Sequence, residues 1–324
     1  MLEVYYFIII SFFISLIIDL FYGELPTKIH PVVIIGKIIA FFKNIFIKYH
    51  NRWSGFFTTL FTIVISCLIL SVVMFISSVN EYLFIIIFSI VLSQTYSIKM
   101  LLSTAKDIEN DLKQDLNKAR QSVSYLVSRD TDELTESFIV SATIESMTEN
   151  ITDSYVAPVF YFIVVSIIFM ILNIDYYMIL LFVPFIYRIS NTLDAMLGYT
   201  TDELIDIGFI PAKLDDFLNY IPSRLSGLFV VLSAYLLRYN GNNAFKIMKR
   251  DARKCPSPNS GYTMASTAGA LNIQLVKKDT YILGDNTNEI DVSDISKAIK
   301  LTSLTIALFT IFILIIMTIF YMII

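Results

Sequence analysis

Five stretches of the sequence, 4–22, 56–79, 82–98, 156–172 and 301–324, are apolar almost without interruption. A helix needs about 20 such residues to cross the hydrocarbon core of a bilayer, so each reads as a span. A sixth stretch, 176–196, is interrupted by Pro184 and Arg188; an ionised side chain at that depth must face protein or the aqueous edge. With 56% hydrophobic and only 16% charged residues the chain lies far from soluble averages. The expected class is therefore all-α, a polytopic integral membrane protein with about six transmembrane helices. The run from Val4 to Ile18 has the look of a signal h-region but lacks a basic n-region and a small-residue cleavage site, so it is read as a retained span.

Charge orients these spans. Lys and Arg number 24, and all of them fall in four segments: five in 23–55, six in 99–155, three in 188–224 and ten in 225–300. The hairpins at Asn80-Glu81 and Asn173-Ile174-Asp175 carry none. The positive-inside rule then places both hairpins outside and the basic segments in the cytoplasm of a cell membrane, with both termini outside. Leu225 to Leu237 is apolar but short, and as a span it would export the ten-cation segment, so a re-entrant or interfacial helix is expected there. Val32 to Tyr49, apolar but broken by Lys37, Lys43, Asn44 and Lys48, suits an amphipathic helix in the headgroup plane. The whole of 1–324 reads as a single membrane-embedded domain with helical cytoplasmic segments at 23–55, 99–155 and 197–300, and with no internal repeat or low-complexity tract.

Between Thr104 and Arg129, apolar residues recur at Ile108, Leu112, Leu116, Ala119, Val123 and Leu126, the period of one helix. Asp130 and Glu133 suit the N-cap of the next, over about 132–157. That helix carries Glu145, Glu149 and Asp153 at four-residue intervals, which puts the three carboxylates in a row about 5–6 Å apart at Cβ. Like charges so spaced call for a cation: a Lys or Arg from elsewhere, a divalent metal, or solvent alone if the row is an exposed acidic face. Asp130 is explained by capping or by metal binding.

Other candidates keep two readings. Asn191 and Asp194, three apart in "NTLDAMLGY", share a helix face where polar groups are costly. Lys213, Asp215, Asp216 and Arg224 lie around two prolines, as in a surface turn or a site. In "DARKCPSPNSGYTMASTAGALNI", Arg253 and Lys254 precede a Pro/Ser/Asn/Gly turn and a small-residue stretch, either an anion site at a helix start or a tight loop before a packing helix. His30 is structural or catalytic. Cys67 and Cys255 give no disulfide or metal spacing. Neither nucleotide-loop fingerprint occurs, nor a Ser/His/Asp arrangement, and a nucleic-acid partner is not expected.

Six blocks in order, "DLFYGELPTKIHPVVIIGK", "ARQSVSYLVSRDTDEL", "ATIESMTENITDSYVAPVFY", "NTLDAMLGY", "KLDDFLNYIPSRL" and "DARKCPSPNSGYTMASTAGAL", resemble the CobD/CbiB family of cobalamin biosynthesis over almost the whole chain. The resemblance implies adenosylcobinamide-phosphate synthesis: an ATP-dependent amide ligation of aminopropanol, or its phosphate, to a carboxyl of adenosylcobyric acid. It departs at Gly23-Glu24-Leu25-Pro26, where the family usually reads Gly-Asp-Pro, at Ser128, where glycine is common, and at Cys255, where histidine is frequent; loss of that imidazole leaves Cys255 no acid/base role.

Carried onto this chain, the resemblance implies Mg²⁺ on Glu145, Glu149 and Asp153 with Asp130 or Asn150. Phosphate would be bound by Arg129, Arg224, Arg253 and Lys254 with Ser257 and Asn259. His30, or an acidic neighbour, would take a proton from the attacking amine, with Glu149 and Asp153 the other catalytic candidates and Asn191 and Asp194 touching substrate. Partners would be the two substrates, the bilayer and other pathway enzymes. The competing reading is a membrane transporter, sensor or scaffold without catalysis, against which the spans at 56–79 and 82–98 carry no acidic, basic or histidine side chain after Glu81.

Overall fold

A computed structural model describes residues 2–127, 130–174, 176–199 and 201–323. In chain order the helices are α1 (Leu2–Phe21), α2 (Pro31–Phe46), α3 (Arg52–Ser77), α4 (Glu81–Ser93), α5 (Ile98–Leu112), α6 (Leu116–Ser124), α7 (Glu136–Ile151) and α8 (Ala157–Leu172). There follow α9 (Met178–Leu197), α10 (Phe209–Leu218), α11 (Tyr220–Leu236), α12 (Gly241–Asp251), α13 (Gly261–Leu271) and α14 (Ser293–Ile323). A hairpin of β1 (Leu275–Lys277) and β2 (Tyr281–Leu283), with Val276 opposite Ile282, is the sheet among the described residues.

Among the described residues, six helical stretches are long and apolar enough to cross a membrane: Glu3–Phe21, Arg52–Ser77, Glu81–Leu112, Glu136–Leu172, Met178–Leu197 and Ser293–Ile323. All six expected spans are among them, several extended by polar turns. The apolar 225–237 stretch lies in α11, which follows α10 after a break at Asn219; each is shorter than a span, and the pair together would make a seventh.

The chain packs as two compact units where the sequence reads as one domain. Unit 1 comprises Met1–Ile98, Ala157–Leu218 and Ile313–Ile324. In it α1 packs on α4, α2 on α3 and α9, and α8 on α9, around Ile8, Phe12, Phe88, Leu92 and Phe162, each at most 1% exposed. The amphipathic expectation for α2 holds on the protein side: Ile35 and Ile39 point inward, Lys37 and Phe41 outward. Along α3, Ser54, Thr58, Thr62 and Ser66 recur every four residues and face inward, so unit 1's interior is partly polar.

Unit 2 comprises Lys99–Val156 and Asn219–Phe312. Its core gathers Ile108, Ala119, Val123, Ile139, Ile144 and Met147 with Met264, Leu271, Leu275 and Ile295. Apart from half-buried Tyr262, every residue of α13 is buried, and α12 lies so close that a Cβ at Gly269 would meet Asn243 O at 2.6 Å. The single helix expected over 104–129 is instead two. Asp115 caps α6 by accepting from Asn117 N–H at 2.8 Å, which stops α5 near Leu112 while the predicted apolar face is retained at Ile108, Leu112, Ala119 and Val123. Nor does Asp130 open α7: it accepts from Asp132 N–H at 3.0 Å in a local turn, and α7 begins at Glu136.

Between α7 and α8 the helix widens into a π turn at Thr152–Val156. Pro158, lacking an N–H, cannot donate to the Ser154 carbonyl, and its ring crowds that group; a wider turn accommodates both. Within unit 2 the turn is tied down by Thr152 Oγ1, which donates to Ser226 at 3.0 Å, and by the hydrogen bond between Tyr155 and Thr310.

Candidate active site

The carboxylate row lies on α7 and its π turn, in unit 2. Its members are not equivalent. Glu145 is 4% exposed and both oxygens are engaged, one by the Ser141 hydroxyl at 2.6 Å, the other by the Tyr281 hydroxyl at 2.8 Å. Ser141 also accepts from Val276 N–H at 2.9 Å. Glu145 thus clips the β-hairpin onto α7. Burial and this carboxylate hold the Tyr281 hydroxyl well above its ordinary value, so it remains a donor. Glu149 and Asp153, half-buried, continue the row, and Asn150 between them donates to Ser146 O at 2.8 Å.

Segment 250–260 reaches the same face. Cys255 is buried in the same apolar core as Met147, Ile144 and Met264; burial pushes its thiol up to about 12 against a hydrogen bond with Ser260, and the charges of Glu149 and Glu145 add to the rise. Within unit 2 the acidic helix and the 250–260 loop are thus neighbours at Glu145, Glu149 and Cys255.

The anion-binding candidates divide. Lys254 is paired with Asp251 at 2.6 Å, and Asp251, fully buried, also accepts both arms of Arg250 at 2.8 Å and Gly284 N–H at 2.9 Å. Burial alone would raise that carboxyl, but the three donors outweigh it and bring it down to about 2. Lys254 therefore belongs to a structural knot. Arg253 is exposed in the turn after α12.

Arg224 is the prepared cation. Its guanidinium lies 3.6 Å from the ring centroid of Tyr220 and 4.5 Å from that of Tyr262. Its Nη1 donates to Tyr220 O at 2.6 Å, Ser223 at 3.2 Å and Asn259 Oδ1 at 3.0 Å. Ser257 supports the loop by accepting from Asn259 N–H at 3.2 Å. The small-residue stretch itself, α13, is a packing helix, and the Arg224–Asn259 pair rather than Arg253–Lys254 marks its entrance.

His30, Asn191 and Asp194 belong to unit 1. His30 caps α2 through Nδ1, which accepts from Val32 N–H at 3.2 Å; the neutral ring then carries its proton on Nε2 and presents a donor. Burial lowers its proton affinity, Glu24 opposes that and Arg188 adds to it. Asn191 accepts from Arg188 Nη1 at 3.2 Å, and the Asp194 carboxylate folds over Gly198, where a Cβ would lie 2.1 Å from Oδ1. Arg129 lies outside the described residues. Sequence reasoning missed Ser141, Tyr281, Asp251, Ser223 and Tyr262; of the rings on Arg224, Tyr220 alone was readable, at the i−4 position on the same helix face.

Among the described residues, no group of three or more His, Cys, Asp or Glu is gathered tightly enough to hold a metal ion by itself. Mg²⁺ takes one or two carboxylates, with waters and substrate phosphates completing its shell, and a half-buried Glu149 and Asp153 with a carboxamide between them are donors of that kind.

Residues 12–302 match the CobD/Cbib protein family. The chain belongs to the CobD/CbiB family. It is 44% identical over 299 residues to a probable cobalamin biosynthesis protein CobD of Methanothermobacter thermautotrophicus, a match covering 92% of this chain and 94% of that one. A probable cobalamin biosynthesis protein CobD of Methanocaldococcus jannaschii is 38% identical over 315 residues, 93% of this chain and 96% of its own. A cobalamin biosynthesis protein CobD of Clostridium perfringens is 34% identical over 301, 90% and 92% respectively. No solved structure matches.

Proposed function

We propose that this CobD/CbiB family member is a cobalamin-pathway enzyme of the cell membrane, its polar face cytoplasmic. It would be an adenosylcobinamide-phosphate synthase joining aminopropanol, or its phosphate, to a carboxyl of adenosylcobyric acid at the expense of ATP. Family membership and the names of the relatives support the pathway. The observation that carries the chemistry is the nearness of Glu149 to Cys255 of the 250–260 segment, on a largely buried helix that opens into a π turn. π turns inside α-helices are frequent at functional sites.

A carboxylate becomes an acyl phosphate by taking the γ-phosphoryl group of ATP, with ADP leaving, and attack by the amine then forms the amide and releases phosphate and a proton. Glu149 and Asp153, with Asn150 at hand, would hold Mg²⁺, which when bound neutralises phosphate charge. Glu145 supports the row from behind, since its oxygens are committed to Ser141 and Tyr281. Arg224, its plane fixed between two tyrosines and its Nη1 held by Asn259, would take a phosphate oxygen with the rest of its fork. A carboxylate of the row would take the amine's proton; His30 could do so only by giving up its cap on Val32 N–H.

The test is Glu149→Gln. Purified with adenosylcobyric acid, aminopropanol phosphate and Mg-ATP, the variant should lose amide synthesis by more than about a hundredfold with its thermal transition unmoved. Full activity removes the assigned role, and solute flux into vesicles without product from the natural chain favours transport instead.

A further inference from the structure

Unit 1 holds a cavity of about 500 Å³ where α3 gives way to α4 and α9 begins. The proposed ligation makes no use of it. Its walls are the rings of Phe75, Phe84, Tyr176 and Tyr177 and the thioethers of Met74 and Met178. Two of the rings are fixed from behind: Phe7, 8% exposed, stacks on Tyr177 at 4.4 Å between centroids and meets Phe84 at 5.8 Å. Phe75 and Tyr176 are exposed, so the cavity is open on their side. Concave sites of several hundred Å³, mostly apolar and aromatic with a few polar groups, are the usual form of small-molecule sites.

Two more polar side chains complete the lining, Ser78 and Glu81. The Ser78 hydroxyl gives its hydrogen to Phe75 O at 2.7 Å, so toward the cavity it can only accept. Glu81 opens α4 after the cap at Asn80, and among the described residues its carboxylate has neither a hydrogen bond nor an ion pair. The neighbouring chain offers it no side-chain cation, since 53–98 and 157–187, from which every wall comes, contain no Lys or Arg. The helix dipole favours an acid at this position, which accounts for the carboxylate but not for the rings set around it.

A carboxylate, an accepting hydroxyl and the negative faces of aromatic rings all select positive charge. The kind of cation follows from the same lining. Mg²⁺ and Ca²⁺ take six or more oxygens, more than these side chains offer. A primary ammonium carries three donors, some of which would go unanswered among the rings. A zwitterionic lipid headgroup would bring its phosphate to a place without Lys or Arg to receive it. An alkylated ammonium, its charge spread over apolar substituents, suits rings, thioethers and carboxylate at once.

We propose that this cavity is a binding site for a quaternary ammonium compound, with Glu81 as its counter-ion and Phe84, Tyr176 and Tyr177 as its aromatic walls. The site is independent of the ligation reading, because Glu149 belongs to the other unit.

The full chain, purified in dodecyl maltoside with detergent alone as the blank, is titrated calorimetrically with benzyltriethylammonium, with choline and with choline's uncharged isostere, which has carbon in place of nitrogen. Benzyltriethylammonium should bind saturably at one site per chain, and choline at least about tenfold more tightly than its isostere. Glu81→Gln should weaken benzyltriethylammonium about tenfold or more. Tyr176→Leu, which alters an exposed ring outside the Phe7 stack, should weaken it about threefold or more with the thermal transition unmoved. Glu149→Gln should bind it as the natural chain does while failing in ligation, so that the two proposals fail separately.

The site is overturned if no quaternary ammonium binds saturably, if choline and its isostere bind alike, or if binding ignores both Glu81→Gln and Tyr176→Leu. The comparison of choline with its isostere uses the natural chain and decides the matter even if a variant does not fold.

Discussion

Asp251, fully buried in unit 2, and Arg188, half-buried in unit 1 with its Nε enclosed, are charged groups treated oppositely. Around Asp251 every lone-pair direction is answered, by Arg250, Lys254 and Gly284 N–H, and Arg250 is itself shared with Asp285 at 2.8 Å. Around Arg188 the described residues supply one hydrogen-bond partner, a neutral carboxamide. A closed network holds a loop in place and needs nothing further, whereas an open one leaves polar atoms unanswered. The contrast also sorts the sequence motifs. Lys254 and Glu145, conspicuous by their spacing, are consumed by structure.

Removing the centre of the closed network should have the largest effect. Asp251→Ala leaves Arg250 and Lys254 facing a buried gap and should destabilise by about 3–5 kcal/mol, read from thermal unfolding in detergent; a change under about 1 kcal/mol would make the two regions alike. Next, Tyr281→Phe removes one donor from a buried carboxylate, about 1.5–3 kcal/mol, with ligation kept within a few-fold. A larger catalytic loss would move Glu145 from scaffold into site.

Acid sharpens the comparison from another side. Because the folded-state value of Asp251 is about 2, below its ordinary 3.8, its contribution is complete above about pH 4 and is lost as pH falls toward 2. That contribution is about 2 kcal/mol, and Asp251→Asn should flatten that part of the acid limb. Smallest of all, Cys255→Ala should cost about 1 kcal/mol and leave activity unchanged. With its thiol pushed up to about 12, Cys255 in the natural chain should resist alkylation at pH 8; rapid labelling would show the core around it to be open.

Much of the fold was legible because the dominant driving force, the transfer of apolar length into lipid, is local in sequence. All six spans follow from it. Helix lengths were less legible where capping intervened: Asp115 stops a helix whose apolar period runs on past it, and Thr135, not Asp130, precedes α7. Site residues were legible as far as one helix reaches. The row on α7 and the Tyr220–Arg224 pair are matters of spacing on one element. Tyr281, 136 positions from Glu145, and Asn259, 35 from Arg224, are supplied by folding, and neither announces itself locally. For the same reason the neutralisation of Lys254 could not be read from the chain: the aspartate three residues earlier could equally have faced water.

The widened turn at Thr152–Val156 holds one more residue than an ordinary helical turn would. Deleting a single residue there would let the helix close to regular pitch and swing everything on its N-terminal side by roughly 100° about the axis, carrying Glu149 off the side where Cys255 lies. The register of the acidic row is thus set less by the row than by the slack below it, and a homologue one residue shorter at this point would need to recruit its carboxylates from different positions.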